Sequence, residues 1–280
     1  MESIPRPGFG VWLIAPDATE SAVAGALATG YRHVDTAAAY GNEPAVGRAV
    51  RAFGGDVHVT TKYFNPGDDH GYDDARAAFE ESFDRLGLDR IDLYLVHWPV
   101  RAGGGFVESW RALADLRDDP RLGSIGVSNF SRAHLNAVVD ATGVTPAVNQ
   151  IELHPYFQQA ELRREHAERG VATVAWGPLG QGDQHDERVL DDPVLAEIAA
   201  AHGRSVAQVV LRWHLQLGTI PIPKAADPDH MRANLDVFDF ELTGADMDAI
   251  AALDRGTRYG PDPDTHDFPG SYGGRPVGRA

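Results

Sequence analysis

Residues 31–43 read YRHVDTAAAYGNE, and this stretch decides how the rest of the chain is interpreted. It begins with a short apolar run typical of a strand, which places the carboxylate of Asp35 at the carboxyl end of that strand. A loop of small residues follows and carries the phenol of Tyr40. A carboxylate and a phenol in this arrangement have a chemical use only if a third group bridges them.

The next two predicted strands supply candidates for the bridging group. The run at residues 57–62 ends on Lys62, and the run at residues 91–97 ends on His97. An ammonium group and an imidazole can both hold or transfer a proton. Three successive strands therefore end on groups that can move or orient a proton.

The alternation of strand and helix continues along the chain. After a first strand at residues 8–13, strands are predicted to end near residues 35, 62, 97, 128, 150, 176 and 222. Helices are predicted at about 17–29, 43–53, 72–86, 106–117, 131–141, 158–169, 193–217 with a break at Gly203, 228–235 and 244–254. A strand followed by a crossover helix takes about 30 residues, which matches this repeat.

The repeat predicts an α/β fold, a single (β/α)8 or TIM barrel domain over residues 1–280, with an extra C-terminal helix and a Gly/Pro-rich tail at 255–280. A doubly wound sheet is the rival fold, but no Gly-x-Gly-x-x-Gly follows an early strand. In a barrel the carboxyl ends of the strands share the face on which active sites lie. The residues at or just past these ends are Asp35, Lys62, His97, Ser128, Asn129, Gln150, Trp176 and Lys224. Any one of them alone is more often a partner for nearby backbone, whereas this many in register favour a functional site.

The net charge of −16 disfavours nucleic acid and anionic membranes as partners, because both attract cations. No run of 18 apolar residues predicts a membrane span, and residues 1–7 lack the apolar core of a signal peptide. We therefore expect a cytoplasmic protein. The chain has no cysteine, which excludes disulfides and cysteine catalysis.

Only two of the 25 basic residues counted as Lys or Arg are lysines, Lys62 and Lys224. A GC-rich genome explains arginine in place of lysine, but it does not explain why acidic residues outnumber basic ones by 41 to 25. A saline cytoplasm does, because salt screens repulsion between surface carboxylates. We hypothesise a halophilic source, and a chain equally stable without salt and in multimolar KCl would rule this out. The two lysines that are kept then have specific uses for an ammonium group.

Over residues 4–254 the sequence resembles the aldo-keto reductase family. The motifs that carry the resemblance are GYRHVDTA with YGNE (30–37, 40–43), TTK (60–62), VHWP (96–99), IGVSNF (125–130), VNQIELHP (148–155) and IPK (222–224). The later runs AWGPLGQG (175–182) and LRWHLQ (211–216) are similar to those of bacterial 2,5-diketo-D-gluconate reductases.

The resemblance implies a monomeric barrel enzyme that passes a hydride from NADPH to an aldehyde, ketone or keto-sugar without a metal. It assigns the catalytic roles to Asp35, Tyr40, Lys62 and His97. Elementary chemistry agrees, since the carbonyl oxygen gains negative charge and needs a proton, which a tyrosine beside an ammonium group can give. From the residues alone, Tyr40 is equally well a surface tyrosine, His97 a core histidine, and the Asp35–Lys62 pair a structural ion pair.

The resemblance also assigns positions around the cofactor and the substrate. Ser128, Asn129 and Gln150 suit the hydrogen bonds of the nicotinamide carboxamide, Trp176 suits stacking on its ring, and the loop Pro178, Leu179 and Gly180 suits the pyrophosphate. The remaining assigned positions are Lys224, Ala225, His230 and Asn234 for the cofactor and Trp12, Phe64 and Trp98 for the carbonyl substrate.

The sequence departs from the family pattern after Lys224. Ala225 and His230 stand where the family has the Ser or Thr and the Arg that grip the 2′-phosphate of NADPH. We expect a weakened preference for NADPH, with NADH or dual use. The tail residues Asp262, Asp264, His266 and Asp267 have no family match, and they favour a solvated loop over a metal site.

Two other functions stay open. A barrel of this family could bind nicotinamide as a redox-sensing or regulatory subunit with little turnover, although the complete set of four catalytic positions favours an enzyme. An unrelated barrel such as a sugar isomerase would need metal carboxylates or a phosphate loop, and the sequence shows neither. The physiological substrate depends on the loops at about 100–106 and 177–192 and on the tail.

Overall fold

The computed structural model describes residues 4–64, 71–100, 105–180 and 187–265, together with the backbone at 271–272 and 275–276. Eight parallel strands pair with one another in chain order. They are β1 (Phe9–Gly10), β2 (His33–Asp35), β3 (His58–Tyr63), β4 (Ile91–Val96), β5 (Leu122–Ser128), β6 (Val148–Glu152), β7 (Ala172–Trp176) and β8 (Ile220–Pro221). The sheet closes on itself, because Gly8 N donates to Pro221 O at 2.9 Å and Gly10 N donates to Pro223 O at 3.1 Å. The predicted (β/α)8 barrel is confirmed.

Helices connect the strands and complete the outer layer. They are α1 (Pro16–Thr29), α2 (Glu43–Phe53), α3 (Tyr72–Leu86), α4 (Gly105–Leu116), α5 (Arg132–Thr142), α6 (Ala160–Arg169), α7 (Pro193–His202), α8 (Val206–Gln216), α9 (Pro228–Leu235) and α10 (Gly244–Ala251). Their ends lie near the predicted positions. Gly87 and Gly203 end α3 and α7 with φ of 59° and 62°, a left-handed conformation that glycine adopts without steric cost. In the tail, β9 (Ser271–Tyr272) and β10 (Arg275–Pro276) form a short antiparallel pair.

The prediction of a first strand over residues 8–13 is wrong in length, since β1 comprises only two residues. Leu13 has a left-handed φ of 59°, which no residue of an extended strand adopts. The chain therefore turns away from the sheet directly before α1, and Leu13 is left exposed.

The alternation of side chains along each strand decides which residues enter the barrel. In β4, Leu93 and Leu95 join a buried cluster whose other members are Val148, Val174, Ile220 and Ile222, and Ile4 packs against it. Tyr94, between the two leucines, instead contacts Phe79 of α3 with ring centroids 5.3 Å apart. His97 lies two residues beyond Leu95 and so shares its inward orientation.

The same two-residue alternation places Gln150 and Trp176 inside the barrel. Gln150 lies two residues beyond Val148, and Trp176 lies two beyond Val174, both members of the inner cluster. Gln150 reaches across the barrel to Asp35, 115 residues earlier in the chain. Apolar side chains thus fill the lower part of the barrel, and polar ones are collected at its carboxyl end.

None of the helices in the described parts of the chain is, by itself, long and apolar enough to cross a membrane. The pair α7 and α8 meets that criterion by length and composition, but it is bent by 88°.

Candidate active site

Tyr40 stands on a short 3-10 helix, Ala38–Tyr40, in the loop between β2 and α2. Two side chains outside the predicted site, those of Thr36 and Asn42, hold this loop. Thr36 Oγ1 donates to Asn42 Oδ1 at 2.7 Å, and Asn42 Nδ2 donates to Val11 O at 3.2 Å. The loop is thereby tied to the end of β1, and only 8% of Tyr40 is exposed.

Lys62 is fully buried at the inner face of β3. Its ammonium donates to Asp35 Oδ1 and, at 2.8 Å, to the backbone oxygen of Thr36. The other oxygen of Asp35 accepts from Gln150 Nε2 at 2.7 Å. Burial lowers the pKa of Lys62, and the charge and hydrogen bond of Asp35 oppose that shift. The buried cation therefore has the paired, hydrogen-bonded environment that such a charge requires.

A second buried carboxylate, Glu43, stands behind this pair and was not predicted to act in the site. Thr61 Oγ1 donates to Glu43 Oε1 at 2.6 Å, and Arg85 Nε donates to its other oxygen at 2.6 Å. Its charge also opposes the lowering of the Lys62 pKa. Glu43 was part of the opening sequence stretch, but its contacts come from β3 and α3, which a local pattern does not reveal.

The four predicted catalytic residues converge at the mouth of the barrel. Lys62 Nζ lies 5.2 Å from the centroid of the Tyr40 ring. The rings of Tyr40 and His97 meet edge to face, with centroids 5.7 Å apart and planes at 72°. With Asp35 bound to Lys62, one small region contains the phenol, ammonium, carboxylate and imidazole.

His97 is buried, and its backbone N–H continues the ladder by donating to Tyr63 O at 2.8 Å. Burial, together with the positive charge of Lys62, holds the pKa of His97 well below its ordinary value. At neutral pH its imidazole is therefore uncharged and can donate only one N–H.

The residues predicted to face a nicotinamide carboxamide form one network. Ser128 Oγ donates to Gln150 O at 2.9 Å, and Asn129 Nδ2 donates to Ser128 Oγ and to His97 O, both at 3.1 Å. Trp176 Nε1 donates to Asn129 Oδ1 at 2.7 Å. Asn129 adopts a left-handed φ of 63°, which is unusual outside glycine and typical of functional sites.

The loop after β7 contains Pro178, Leu179 and Gly180. His214 of α8, fully buried, donates from Nε2 to Pro178 O at 3.4 Å. Gly180 has a φ of 76°, and a Cβ there would lie 2.4 Å from Val189 Cγ2. His214 and Val189 therefore hold the described part of this loop from two sides. His214 was not among the predicted site residues.

Lys224, which lies three residues after β8, and His230 of α9 are exposed, whereas Ala225 and Asn234 are buried. Asp227 caps the start of α9, since its Oδ1 accepts from Asp229 N at 2.7 Å and from His230 N at 3.2 Å. Asn234 lies on the inner side of α9, where it is hydrogen-bonded to Tyr31. Asn234 is thus buried, whereas Lys224 and His230 reach the surface.

The predicted substrate-binding residues contribute apolar walls. Trp98 and Val100 form a buried cluster against which Phe64 and Trp176 pack. The Phe64 ring lies 5.5 Å from the His97 ring. Trp12 is half-buried against the larger apolar cluster that contains Tyr40.

Of the tail residues Asp262, Asp264, His266 and Asp267, the first two lie in the described part of the chain. Asp264 Oδ1 accepts from Ser131 Oγ at 2.9 Å, and Asp262 Oδ1 accepts from Asp264 N at 2.9 Å. His266 and Asp267 lie outside the described residues. In the described ranges, no three His, Asp or Glu side chains are grouped so that they could hold a metal ion.

A closed eight-stranded barrel with these groups at its carboxyl end defines an oxidoreductase of the TIM-barrel class. The family model described as the aldo/keto reductase family matches residues 8–255, and the chain belongs to this family of NAD(P)H-dependent enzymes that act on carbonyl groups.

Named relatives extend over nearly the whole chain. It is 54% identical over 271 residues to an aldo-keto reductase of Mycobacterium sp. (strain KMS), with 96% of each chain covered. It is 48% identical to 2,5-diketo-D-gluconic acid reductase B of Corynebacterium sp. (strain SHS752001), with 94% of each covered, which confirms that resemblance. A crystal structure of a Gox0644 mutant in complex with NADPH has a TM-score of 0.88 and 48% identity, covering 94% of this chain and 95% of that one.

Proposed function

We propose that this chain reduces small aldehydes and ketones to alcohols, with Tyr40 as the general acid. The observation that carries the proposal is the convergence of Tyr40, Lys62 and His97 at the barrel mouth, with the Tyr40 ring 5.2 Å from the ammonium and 5.7 Å from the imidazole ring. A reduced nicotinamide, when bound, supplies the hydride that the carbonyl carbon accepts. The chain must then stabilise and protonate the carbonyl oxygen.

The protonation state of His97 decides between the two candidate acids. Because the pKa of His97 is well below its ordinary value, it is not an imidazolium at pH 7. Its role is to donate one hydrogen bond that orients the carbonyl oxygen. Tyr40 then gives the proton, and the ammonium of Lys62 stabilises the phenolate that remains. Asp35 keeps Lys62 in place through their buried ion pair.

The carboxamide network offers a bound nicotinamide hydrogen-bond acceptors. Gln150 donates its amide nitrogen to Asp35. None of the hydrogen bonds among the described residues reaches its Oε1, which suits the carboxamide NH2. Ser128 Oγ donates its one hydrogen to Gln150 O and accepts from Asn129 Nδ2, so its remaining lone pair also suits the carboxamide NH2. Asn129 already uses both amide hydrogens, on Ser128 and His97, and one lone pair, for Trp176. We assign Asn129 to the carboxamide only through its second lone pair, and Trp176 to the face of the ring.

The aromatic walls favour a carbonyl substrate with an apolar substituent. Phe64, Trp98, Val100 and Trp176 pack together beside His97. A polyhydroxylated keto-sugar gains few hydrogen bonds from such side chains, whereas an aryl or alkyl group buries apolar area at about 25 cal/mol per Å². We propose apolar aldehydes and ketones as the preferred class.

The direct test measures oxidation of NADPH and NADH by absorbance with two sets of carbonyls, benzaldehyde and cyclohexanone against glyceraldehyde and a keto-sugar acid. We expect turnover with the first set at kcat/KM about tenfold or more above the second, the difference that one well-buried ring supplies. No oxidation with any carbonyl would contradict the proposed function. Preferred turnover of the sugars would contradict only the proposed substrate class.

The residues around the start of α9 bear on the preference between NADPH and NADH. The backbone N–H groups at the start of α9, which could otherwise bind a phosphate, are occupied by the Asp227 carboxylate. Ala225 has no hydroxyl, and His230 replaces the arginine of the family pattern. Loss of one charge-assisted hydrogen bond weakens binding by about 10- to 100-fold. We propose dual cofactor use, with kcat/KM for NADPH less than about a thousandfold above that for NADH.

An Asp227→Ser variant tests the effect of the carboxylate charge separately from the effect of the helix cap. Serine caps a helix as well as aspartate does, so α9 keeps its start. We expect KM for NADPH to fall by about tenfold and KM for NADH to change little, because only NADPH carries the 2′-phosphate that the carboxylate repels. Equal changes in both KM values would show that Asp227 does not act on the phosphate.

A further inference from the structure

Glu152, the last residue of β6, is a fully buried carboxylate without a role in the proposed chemistry. Its oxygens accept from the backbone N–H of Tyr259 at 2.6 Å and of Gly260 at 3.0 Å. Arg258 Nη1 lies 3.6 Å from Oε2, and His154 Nε2 donates to Oε1 at 3.1 Å. Three of these four partners belong to one tail segment, residues 258–260, so Glu152 anchors that segment to the barrel rim.

Ring contacts strengthen the same attachment. The Tyr259 ring stacks on the buried His154 ring, with centroids 4.7 Å apart and planes at 19°. The Arg258 guanidinium lies 4.4 Å from the centroid of Phe157. The segment is therefore fixed on the β6 side of the barrel mouth by a charge, two backbone hydrogen bonds and two ring contacts.

The anchored segment reaches Trp176. Glu152 and Trp176 are paired residues of β6 and β7. A Cβ built on Gly260 would lie 2.4 Å from Trp176 Cη2 and 3.1 Å from Glu152 Oε2, so the Gly260 backbone lies against the benzo edge of the indole. The opposite edge donates from Nε1 to Asn129 Oδ1. The indole is thus held at both edges, by Asn129 on one side and by the anchored tail on the other.

We propose that Glu152 is a positioning residue for the cofactor site: by holding residues 258–260, it sets the orientation of the Trp176 indole that receives the nicotinamide ring. The role of Trp176 rests on the proposed function, whereas the hold of the tail on the indole is a property of the chain itself. An indole free to rotate offers a bound ring fewer favourable orientations, so loss of the anchor weakens cofactor binding more than it slows chemistry at saturating cofactor.

The first test is Glu152→Gln, which keeps the size of the side chain. One of the two backbone N–H groups then faces an amide NH2, so one hydrogen bond to the tail is lost. We expect the NADPH dissociation constant, measured by calorimetry, and the KM for NADPH to rise about tenfold, with kcat reduced by less than about threefold. The matched control is Glu165→Gln, another buried carboxylate whose partners, Arg132 and Arg169, lie outside the tail. It should leave the dissociation constant unchanged.

A second test does not depend on the cofactor. In the free protein, Glu152→Gln should increase acrylamide quenching of tryptophan emission, and this increase should disappear in a Trp176→Phe background. Gly260→Ala leaves the charge in place and forces a Cβ against the indole, so it should reproduce both effects even if Glu152→Gln fails to fold. Unchanged quenching in Gly260→Ala or Glu152→Gln would overturn the proposal. If the variants change the quenching but the parent protein does not bind NADPH, the contact between residues 258–260 and Trp176 is supported. The proposed function is then refuted.

Discussion

Replacing Tyr40 by phenylalanine is expected to lower kcat for carbonyl reduction by about 100- to 10,000-fold, the usual contribution of a general acid. The substitution removes one hydroxyl and keeps the ring, which packs edge to face on His97. Asp35, Lys62 and Gln150 keep their mutual hydrogen bonds because none of these involves the phenol. The NADPH dissociation constant should therefore change by less than about threefold, within the range of neutral substitutions.

Tyr63→Phe is the matched control, because it removes the same hydroxyl from a buried tyrosine outside the proposed catalytic group. Tyr63 follows Lys62 on β3 and is about as buried as Tyr40, and strand alternation turns its side chain to the opposite face of the sheet from Lys62. The same loss of one hydroxyl there should leave kcat within about threefold of the parent. If Tyr40→Phe retained a tenth or more of the parent kcat, another group would have to deliver the proton. Weakened cofactor binding in Tyr40→Phe would point to a structural role for the phenol.

The placement of Lys62, His97 and Gln150 was predictable because strand periodicity and strand ends are local properties of the sequence. Lys62 and His97 lie within one residue of the carboxyl end of a strand, and Gln150 lies two residues before one. All three face inward by strand alternation, so closure of the barrel brings them together. The expectation that both lysines of the chain have a specific use for the ammonium group fits Lys62 better than Lys224. Lys62 is buried and paired with Asp35, whereas Lys224 is exposed.

Contacts between distant segments were not predictable from such patterns. Trp176 donates to Asn129, 47 residues earlier, and Glu152 accepts from Gly260, 108 residues later. Neither bond follows from spacing, since both depend on how loops cross the barrel mouth. The short β1 has a different cause, because the left-handed conformation of Leu13 contradicts the apolar run that predicted a longer strand.

The second large effect is on stability below neutral pH. His166 and His214 are buried and hydrogen-bonded, and burial lowers their pKa values to about 4 and about 3. The hydrogen bonds of His166 agree with a neutral ring. Asn149 Nδ2 can only donate, so His166 Nε2 accepts at 3.0 Å and Nδ1 donates to Thr173 Oγ1 at 2.9 Å. A proton added to Nε2 would face the amide hydrogens of Asn149.

The direction of the pH dependence follows from these pKa values. Above pH 6.5 both histidines are neutral in the folded and unfolded chains, and the full stability is present. Below pH 6.5 the unfolded chain binds protons that the folded chain does not, which lowers the free energy of unfolding by about 1.4 kcal/mol per pH unit for each histidine. The loss continues until the pH reaches the folded pKa, about 4 for His166 and about 3 for His214. His33 and His97, whose pKa values burial also lowers, act in the same direction.

We therefore expect urea unfolding at constant ionic strength to show a loss of about 3 kcal/mol from these two histidines between pH 7.5 and 5.5. This is a large part of the 5–15 kcal/mol typical of folded domains, so acid should unfold the chain before most carboxylates are protonated. His166→Asn should cost stability at every pH because it loses packing, yet it should reduce the dependence on pH by about 1.4 kcal/mol per unit below pH 6. The slope of the free energy of unfolding against pH separates lost packing from lost proton binding, because lost packing contributes equally at each pH. A free energy of unfolding that is constant from pH 7.5 to 5.5 would mean that the buried histidines accept protons in the folded chain.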